Sequence, residues 1–307
     1  MLKSNMLKNL MQYISPSPTI RYGYWLYIPK KITSVQVILW GHGSTPNEIP
    51  YLKINEFVKY SLLNIMKYCD DLGLVAIMPI LPRECDSFDY PYFKFDSQIM
   101  TKEVMMSKFM PESTFYNRPD LEIIKIISAT KMELKSRNII VQDKIIIGGI
   151  SAGATMANRF SILYPELIEI SALLISGIFT YPTNKINELL LEYPFGISNI
   201  IDISTNRFEI KEFKKIHHFL FVGGQDNKPQ NDILRFESNG EKNIDVIKQI
   251  IGDDSVDRTI KYANYLRTLS MDVELIIDQN LGHNINGEIL DSTFSWIKNI
   301  IMNRMKN

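Results

Sequence analysis

A serine with a glycine two positions away on either side is the residue of this chain with the clearest chemical potential. It is Ser151, in the stretch GISAG at 149–153, where a β-branched run at 144–147 meets helix-forming residues at 152–163. A serine at a sharp strand-to-helix turn has a strained backbone and projects its hydroxyl above the sheet, so its neighbours must be small. The pattern predicts a nucleophilic serine at the end of a buried strand.

A serine hydroxyl attacks a carbonyl only when a neighbouring base takes its proton, and a carboxylate must orient that base. On strand-to-helix turns of this kind the chain order is serine, acid, histidine. Of the four histidines, His42 precedes Ser151, while His217 and His218 lie at the start of a predicted strand rather than beyond its end. His283, between the last predicted strand and the last predicted helix, is therefore the predicted base. The alternative is a histidine of a surface loop.

The acid is expected after the preceding strand, and Asp226 lies there, behind the glycine turn that follows the predicted strand 217–222. Asp232 is the rival candidate, six positions later and less closely tied to the strand end. Either residue, taken alone, also fits a turn or a helix cap, which are common uses of aspartate.

An oxyanion hole needs two backbone N–H groups aimed at the oxygen of a tetrahedral intermediate. The Ala152 N–H begins the predicted helix and is the first expected donor. The second is expected from Gly43 or Ser44, in the stretch GHGS that follows the predicted strand 35–40. His42 would then shape this loop by packing rather than take part in catalysis. A glycine turn without chemistry is the alternative.

The sequence disfavours nucleotides, metal ions and nucleic acids as ligands. Residues 148–153 also have the glycine spacing of a phosphate loop, but Ala154 stands where that loop needs its lysine. There is no H-E-x-x-H or comparable metal-ligand cluster. Lys+Arg and Asp+Glu both number 34, so the net charge is zero. We expect no cofactor, no metal and no nucleic-acid partner.

Strand-like and helix-like segments alternate along the chain, which indicates βαβ units and a mostly parallel sheet. The sequence predicts one α/β domain over residues 1–307, with about eight strands and helices on both faces of the sheet. The predicted strands are 22–28, 35–40, 73–81, 144–147, 168–175, 217–222 and 273–277, and the predicted helices are 55–69, 121–134, 152–163, 244–269 (mainly helical) and 289–302.

Two aromatic-rich insertions, near 82–119 and 179–215, interrupt this alternation at strand ends. They are candidates for a lid or for pocket walls. The alternative is a satellite core under a long loop.

No run of the chain approaches 18 apolar residues, and the first 18 residues lack the apolar region of a signal peptide. We expect no membrane span and a cytoplasmic location. The oligomeric state is not predicted.

With these residues placed, the chain resembles the α/β-hydrolase superfamily, and within it serine esterases similar to polyhydroxybutyrate depolymerases and feruloyl esterases. The motifs that carry the resemblance are GHGS at 41–44, GISAG at 149–153, GGQD at 223–226 and LGH at 281–283. It implies a serine esterase in which Ser151, Asp226 and His283 form the triad. It also implies a small-molecule ester as substrate and no cofactor.

The same three residues also serve serine peptidases and acyltransferases, and the fold hosts non-catalytic binding proteins. These remain the alternative functions at the level of sequence.

Overall fold

A mixed, mostly parallel sheet forms the centre of the protein. The computed structural model describes residues 10–32, 36–44, 51–81, 100–106, 117–204, 207–229 and 244–304. The strands are β1 Leu10–Ile14, β2 Tyr24–Ile28, β3 Val37–Gly41, β4 Val75–Pro79, β5 Ile145–Ile150, β6 Ile168–Leu174, β7 Lys185–Ile186, β8 Leu189–Leu190, β9 His217–Gly223 and β10 Val273–Asp278. Eight of these form the main sheet, in the order β1-β2-β4-β3-β5-β6-β9-β10, and β7 pairs with β8 alone.

One strand of the main sheet, β2, runs against both of its neighbours, β1 and β4. All the other pairs are parallel; for example, Leu39 of β3 lies beside Ile77 of β4 and Ile147 of β5. The carboxyl ends of β3, β5, β6, β9 and β10 therefore meet at one edge. In parallel sheets this edge is where ligands bind.

Helices cover both faces of this sheet. Ile145 and Ile147 of β5 belong to one apolar cluster and Ile146 to the other, and all three are fully buried. The described helices are α1 Tyr51–Leu72, α2 Lys102–Met106, α3 Pro119–Ser136, α4 Ala152–Leu163, α5 Ile200–Ile203, α6 Ile210–Phe213, α7 Ile244–Ile251, α8 Ser255–Thr268 and α9 Gly287–Arg304. Helices α1 and α9 pack on the Ile146 side and α3, α4 and α8 on the opposite side. None of these helices combines the length and apolar character needed to cross a membrane.

Burial on both faces explains why β5 reads as a continuous apolar run without alternation. Each isoleucine side chain that leaves water here contributes roughly 1.5–3 kcal/mol to folding. The predicted fold class, a mostly parallel sheet of about eight strands between two helical layers, is confirmed.

The segment at 244–269, predicted as mainly helical, consists of two helices. Helix α7 ends before Gly252, whose φ of 112° is unfavourable for a residue with a side chain. Helix α8 then begins with Asp254 as its N-cap, and the Asp254 carboxylate accepts a hydrogen bond of 2.8 Å from the Asp257 N–H. This break places the first turn of α8 close to the carboxyl edge of the sheet.

The first half of the second aromatic-rich insertion, 179–215, is packed into the core. Phe179, Tyr181, Tyr193 and Phe195 are all buried, and Phe179 stacks on Tyr262 of α8 with a centroid distance of 4.4 Å. These four side chains therefore support the fold. A role of the insertion as lid or pocket wall stays a prediction. Most of the first insertion, residues 82–99 and 107–116, lies outside the described residues.

One buried polar group makes stability depend on pH. His218 of β9 is fully buried, and neither ring nitrogen has a hydrogen-bond partner among the described residues. Burial, assisted by the charge of His217, lowers the pKa of His218 from 6.5 to about 3. The unfolded chain takes up a proton below pH 6.5 while the folded histidine stays neutral, so acid favours unfolding.

We predict that His218→Leu stabilises the protein and reduces its sensitivity to acid. Removing an unpaired buried polar group should raise the free energy of unfolding by about 1–3 kcal/mol at pH 7.5. Between pH 6.5 and pH 5 the free energy of unfolding of the wild type should fall by about 1.6 kcal/mol more than that of the variant, because a full proton is worth about 1.4 kcal/mol per pH unit and the unfolded histidine is half protonated at pH 6.5. Urea unfolding of both proteins at pH 7.5 measures the stabilisation, and urea unfolding at pH 6.5 and pH 5 measures the difference in sensitivity to acid. Equal losses in the two proteins would contradict the prediction.

Candidate active site

Ser151 lies in a strained turn between β5 and α4, at the carboxyl edge of the sheet. Its φ of 54° and ψ of −117° are unfavourable for a residue with a side chain. The Ser151 N–H donates a hydrogen bond of 2.9 Å to the Leu174 carbonyl, which ties the turn to the end of β6. A conformation of this kind costs about 1–3 kcal/mol, and the surrounding packing must maintain it.

The glycines of the turn are required by close backbone contacts. A Cβ atom on Gly149 would lie 2.6 Å from the Gly153 carbonyl carbon, and one on Gly153 would lie 2.6 Å from the His42 carbonyl oxygen and overlap the Gly41 carbonyl group. The first turn of α4 thus lies directly against the loop that follows β3. Any larger residue at 149 or 153 would separate the two segments.

Three polar side chains meet above this edge in a continuous hydrogen-bonded chain. Ser151 Oγ lies 2.9 Å from His283 Nε2, and His283 Nδ1 lies 2.7 Å from Asp226 Oδ2. A carboxylate only accepts hydrogen bonds, so Nδ1 carries the proton and Nε2 is left to accept from the Ser151 hydroxyl. The side chain of Asp226 is 8% exposed and that of His283 is 41% exposed. The acid is thus shielded from water while the imidazole is open to a ligand.

The loops that carry Asp226 and His283 are joined to each other through their backbones. The Gly224 N–H donates to the Asp278 carbonyl at 2.7 Å, and the Gln225 N–H donates to the Leu281 carbonyl at 2.8 Å. A Cβ atom on Gly223 would overlap the carbonyl oxygens of Leu281 and Gly282. The acid and the imidazole are therefore held on one docked pair of loops.

We predict that Gly223→Ala lowers any activity that depends on His283, because it forces these two loops apart. A displacement of the imidazole by about 1 Å can cost about 10²-fold in rate. Gly282→Ala is the matched control: the two glycines lie in contact, but a Cβ atom on Gly282 would meet nothing within 4 Å.

Steady-state kinetics of both variants, after each has been shown to be folded, measure the difference. Equal activity of the two alanine variants would contradict the prediction that the contact between the loops controls the position of the imidazole.

The Asp226 carboxyl has a lowered pKa although it is buried. Burial alone would raise this pKa, but the hydrogen bond and charge of His283, the Ser255 hydroxyl and the Arg258 guanidinium together lower it below 3.8. Ser255 Oγ itself lies outside hydrogen-bond geometry with every described residue. Asp226 is consequently a carboxylate at neutral pH.

The loop after β3 supplies the second side of the site. Ala152 is the first residue of α4, so its N–H has no partner within the helix. A Cβ atom on Gly43 would lie 3.7 Å from the Ile150 carbonyl oxygen, which places this loop beside the residue that precedes Ser151. Ser44 is exposed next to it. The expected oxyanion donors Ala152, Gly43 and Ser44 thus lie on segments that pack together.

His42 is a packed residue of this loop. It is buried, its ring meets Phe57 edge-on, and its Nδ1 lies 2.7 Å from the Gly43 carbonyl oxygen. Burial lowers the pKa of His42 to about 4, against a small opposing effect of that hydrogen bond. A neutral ring facing a carbonyl carries its proton on Nδ1, so His42 donates to Gly43 and fixes the orientation of the next peptide group.

The structure brings Ser151, His283 and Asp226 together, and it places the other histidines elsewhere. His217 lies at the start of β9, at the opposite edge of the sheet, where its Nδ1 is 2.6 Å from Asp272 Oδ2. The rival acid Asp232 lies outside the described residues. No group of three or more His, Cys, Asp and Glu side chains suited to a metal ion occurs among the residues with described positions.

Two residues near the acid were not predicted from the sequence. Ser255 and Arg258 lie in the first turn of α8, and both act on the Asp226 carboxyl. In the sequence the stretch DDSVDR at 253–258 only indicates a helix start. Nothing local in it shows that this turn affects a carboxyl about thirty residues earlier in the chain.

Comparison with known proteins identifies the fold. No protein-family model matches the chain, and no curated protein matches it significantly in sequence. Poly(aspartic acid) hydrolase-1 from Sphingomonas sp. KT-1 is similar in structure, with a TM-score of 0.58 and 13% identity over 96% of this chain and 98% of that chain. LpqC, a poly(3-hydroxybutyrate) depolymerase from Bordetella parapertussis, has a TM-score of 0.55 and 13% identity over 93% of this chain and 87% of that chain. The chain has the α/β-hydrolase fold, as the resemblance implied.

Proposed function

We propose that the protein is a serine hydrolase that cleaves a carboxylic ester through a Ser151-His283-Asp226 triad. The observation that carries the proposal is the chain of two hydrogen bonds, 2.9 Å from Ser151 to His283 and 2.7 Å from His283 to Asp226. It lies at the edge of the sheet where α/β proteins bind ligands. The strained backbone of the serine adds support, because strain of this kind is concentrated at functional sites.

The proposed reaction proceeds in two acyl transfers. Ser151 Oγ attacks the ester carbonyl carbon while His283 Nε2 takes the hydroxyl proton, and the carbonyl oxygen becomes an oxyanion. The backbone N–H groups of Ala152 and of Gly43 or Ser44 stabilise that oxyanion. His283 then gives its proton to the leaving alkoxide, which departs as the alcohol and leaves an acyl group on Ser151.

Water completes the cycle by the same route. His283 Nε2 removes a proton from a water molecule as its oxygen attacks the acyl carbon, and it returns the proton to Ser151 Oγ as the carboxylic acid leaves. Asp226 keeps the imidazole in the Nδ1–H tautomer throughout and stabilises its protonated form. No redox equivalent and no cofactor enters these steps.

A fluorophosphonate probe and a panel of p-nitrophenyl esters test the proposal directly. We expect covalent labelling of Ser151, located by peptide mass mapping, and turnover of at least one short-chain ester. Amide substrates and acyl acceptors other than water, assayed beside the esters, distinguish a peptidase or an acyltransferase. Absence of labelling in the folded protein would instead indicate a binding protein that has lost activity.

A further inference from the structure

His283 lies in a loop that is held on both sides of the imidazole. Before it, the Leu281 carbonyl accepts a hydrogen bond of 2.8 Å from the Gln225 N–H of the acid loop. After it, the side-chain Oδ1 of Asn286 accepts a hydrogen bond of 3.0 Å from a backbone N–H in the first turn of α9. The position of the imidazole therefore depends on how residues 282–285, between these two points, are fixed.

Contacts of Gly282 do not fix this part of the loop by themselves. Its carbonyl lies against Gly223, but the space on its other side is open, since a Cβ atom on Gly282 would meet nothing within 4 Å. Glycine also has more backbone freedom than any other residue. A contact on one side thus leaves the direction in which the chain enters His283 undetermined, and a hydrogen bond is needed to set it.

Asn284 supplies two such hydrogen bonds, and both go to Gly282. The Asn284 N–H donates to the Gly282 carbonyl at 2.8 Å, and the Asn284 Oδ1 accepts from the Gly282 N–H at 3.1 Å. The first bond closes a three-residue γ-turn with His283 at its centre. His283 does not have a positive φ, so this turn is of the common inverse form. The second bond holds the peptide group on the far side of Gly282, so the backbone is restrained both before and after the imidazole.

We propose that Asn284 is a positioning residue whose side-chain oxygen keeps the His283 imidazole between Ser151 and Asp226. The inference rests on the proposed function, since it assumes that His283 carries the proton in catalysis. The ring makes bonds of 2.9 Å to Ser151 Oγ and 2.7 Å to Asp226 Oδ2, and both require one orientation of the ring. Because the His283 side chain is 41% exposed, packing alone does not impose that orientation. Asn284 acts only through His283.

The test compares two substitutions of Asn284 that have nearly the same shape. Asn284→Leu removes the acceptor, and we expect kcat on an ester to fall about 3- to 10-fold with little change in KM, the range spanned by the loss of one ordinary hydrogen bond. Asn284→Asp keeps an oxygen acceptor for the Gly282 N–H and should retain most of the activity. Residue 284 is exposed, so both variants should fold and unfold thermally close to the wild type.

Asn299→Leu is the control for the chemical change itself. Asn299 is exposed on α9, and its side chain makes no hydrogen bond with another residue whose position the structure describes. This variant should have the kcat of the wild type. A folded Asn284→Leu protein with wild-type kcat would overturn the proposal, and so would an Asn284→Asp protein as slow as Asn284→Leu.

A measurement without substrate separates this inference from the proposed function. At about pH 9, where an imidazole is neutral, the ¹⁵N shifts of the His283 ring report which nitrogen carries the proton. We expect Nδ1–H in the wild type and an additional Nε2–H population in Asn284→Leu, because the ring is no longer held toward Asp226. An identical tautomer in both proteins would reject the positioning role even if esters are hydrolysed. The additional population, found in a protein whose wild type no fluorophosphonate labels, would support the positioning role and reject the hydrolase assignment alone.

Discussion

Replacement of Ser151 by alanine is expected to lower kcat on an ester by about 10⁴- to 10⁶-fold. The hydroxyl is the proposed nucleophile, and no other described hydroxyl lies within hydrogen-bond distance of His283 Nε2. KM should change little, because replacing the Ser151 hydroxyl by a hydrogen leaves the walls of the site in position. The variant should also lose fluorophosphonate labelling while its thermal unfolding stays close to that of the wild type.

Ser176→Ala is the matched control for this variant. Ser176 follows the neighbouring strand β6, is fully buried, and its Oγ lies 3.1 Å from Thr155 Oγ1 rather than near the imidazole. Its removal should leave kcat within a few-fold of the wild type. Turnover by purified Ser151→Ala within tenfold of the wild type, measured with contaminating hydrolases excluded, would end the triad assignment.

Asp226→Asn is expected to lower kcat by about 10⁴-fold while preserving the shape of the site. An asparagine amide can donate to His283 Nδ1, which favours the tautomer with the proton on Nε2. That tautomer has no lone pair to accept from the Ser151 hydroxyl. The effect should therefore appear in kcat and in the rate of fluorophosphonate labelling, with little change in the free energy of substrate binding.

The chain offers a closely matched control for this substitution. Asp272 lies 2.6 Å from His217 Nδ1, an aspartate–histidine pair of nearly the same length at the opposite edge of the sheet. Asp272→Asn makes the same chemical change and should leave kcat unchanged. A loss of activity in Asp272→Asn as large as in Asp226→Asn would show that the effect of the latter is not specific to the active site.

The positions of the proposed triad residues could be chosen from the sequence because each is marked by a local pattern. The glycines around Ser151 indicate a turn with no room for side chains, and Asp226 and His283 each follow a recognisable strand end. Because parallel strands end at one edge, three distant positions could be expected to converge. The order of the strands in the sheet needed the structure, since it depends on contacts between segments far apart in the chain.

The support around the acid could not be predicted in the same way. The position of the first turn of α8 depends on the break at Gly252 and on the packing of α8 against β9. Similarly, the aromatic residues 179, 181, 193 and 195 have the composition of a pocket wall, but their burial shows that they stabilise the fold. Composition does not distinguish an aromatic side chain that contacts α8 from one that faces a ligand.

The backbone contact between Gly223 and the 281–282 segment also has a consequence for protein engineering. Because the two loops cannot be altered independently, insertions or randomised positions in either one should disturb proton transfer together with substrate choice. Libraries intended to broaden the range of accepted acyl groups should therefore leave residues 223–226 and 279–283 unchanged, because these residues share the backbone contacts that fix the imidazole.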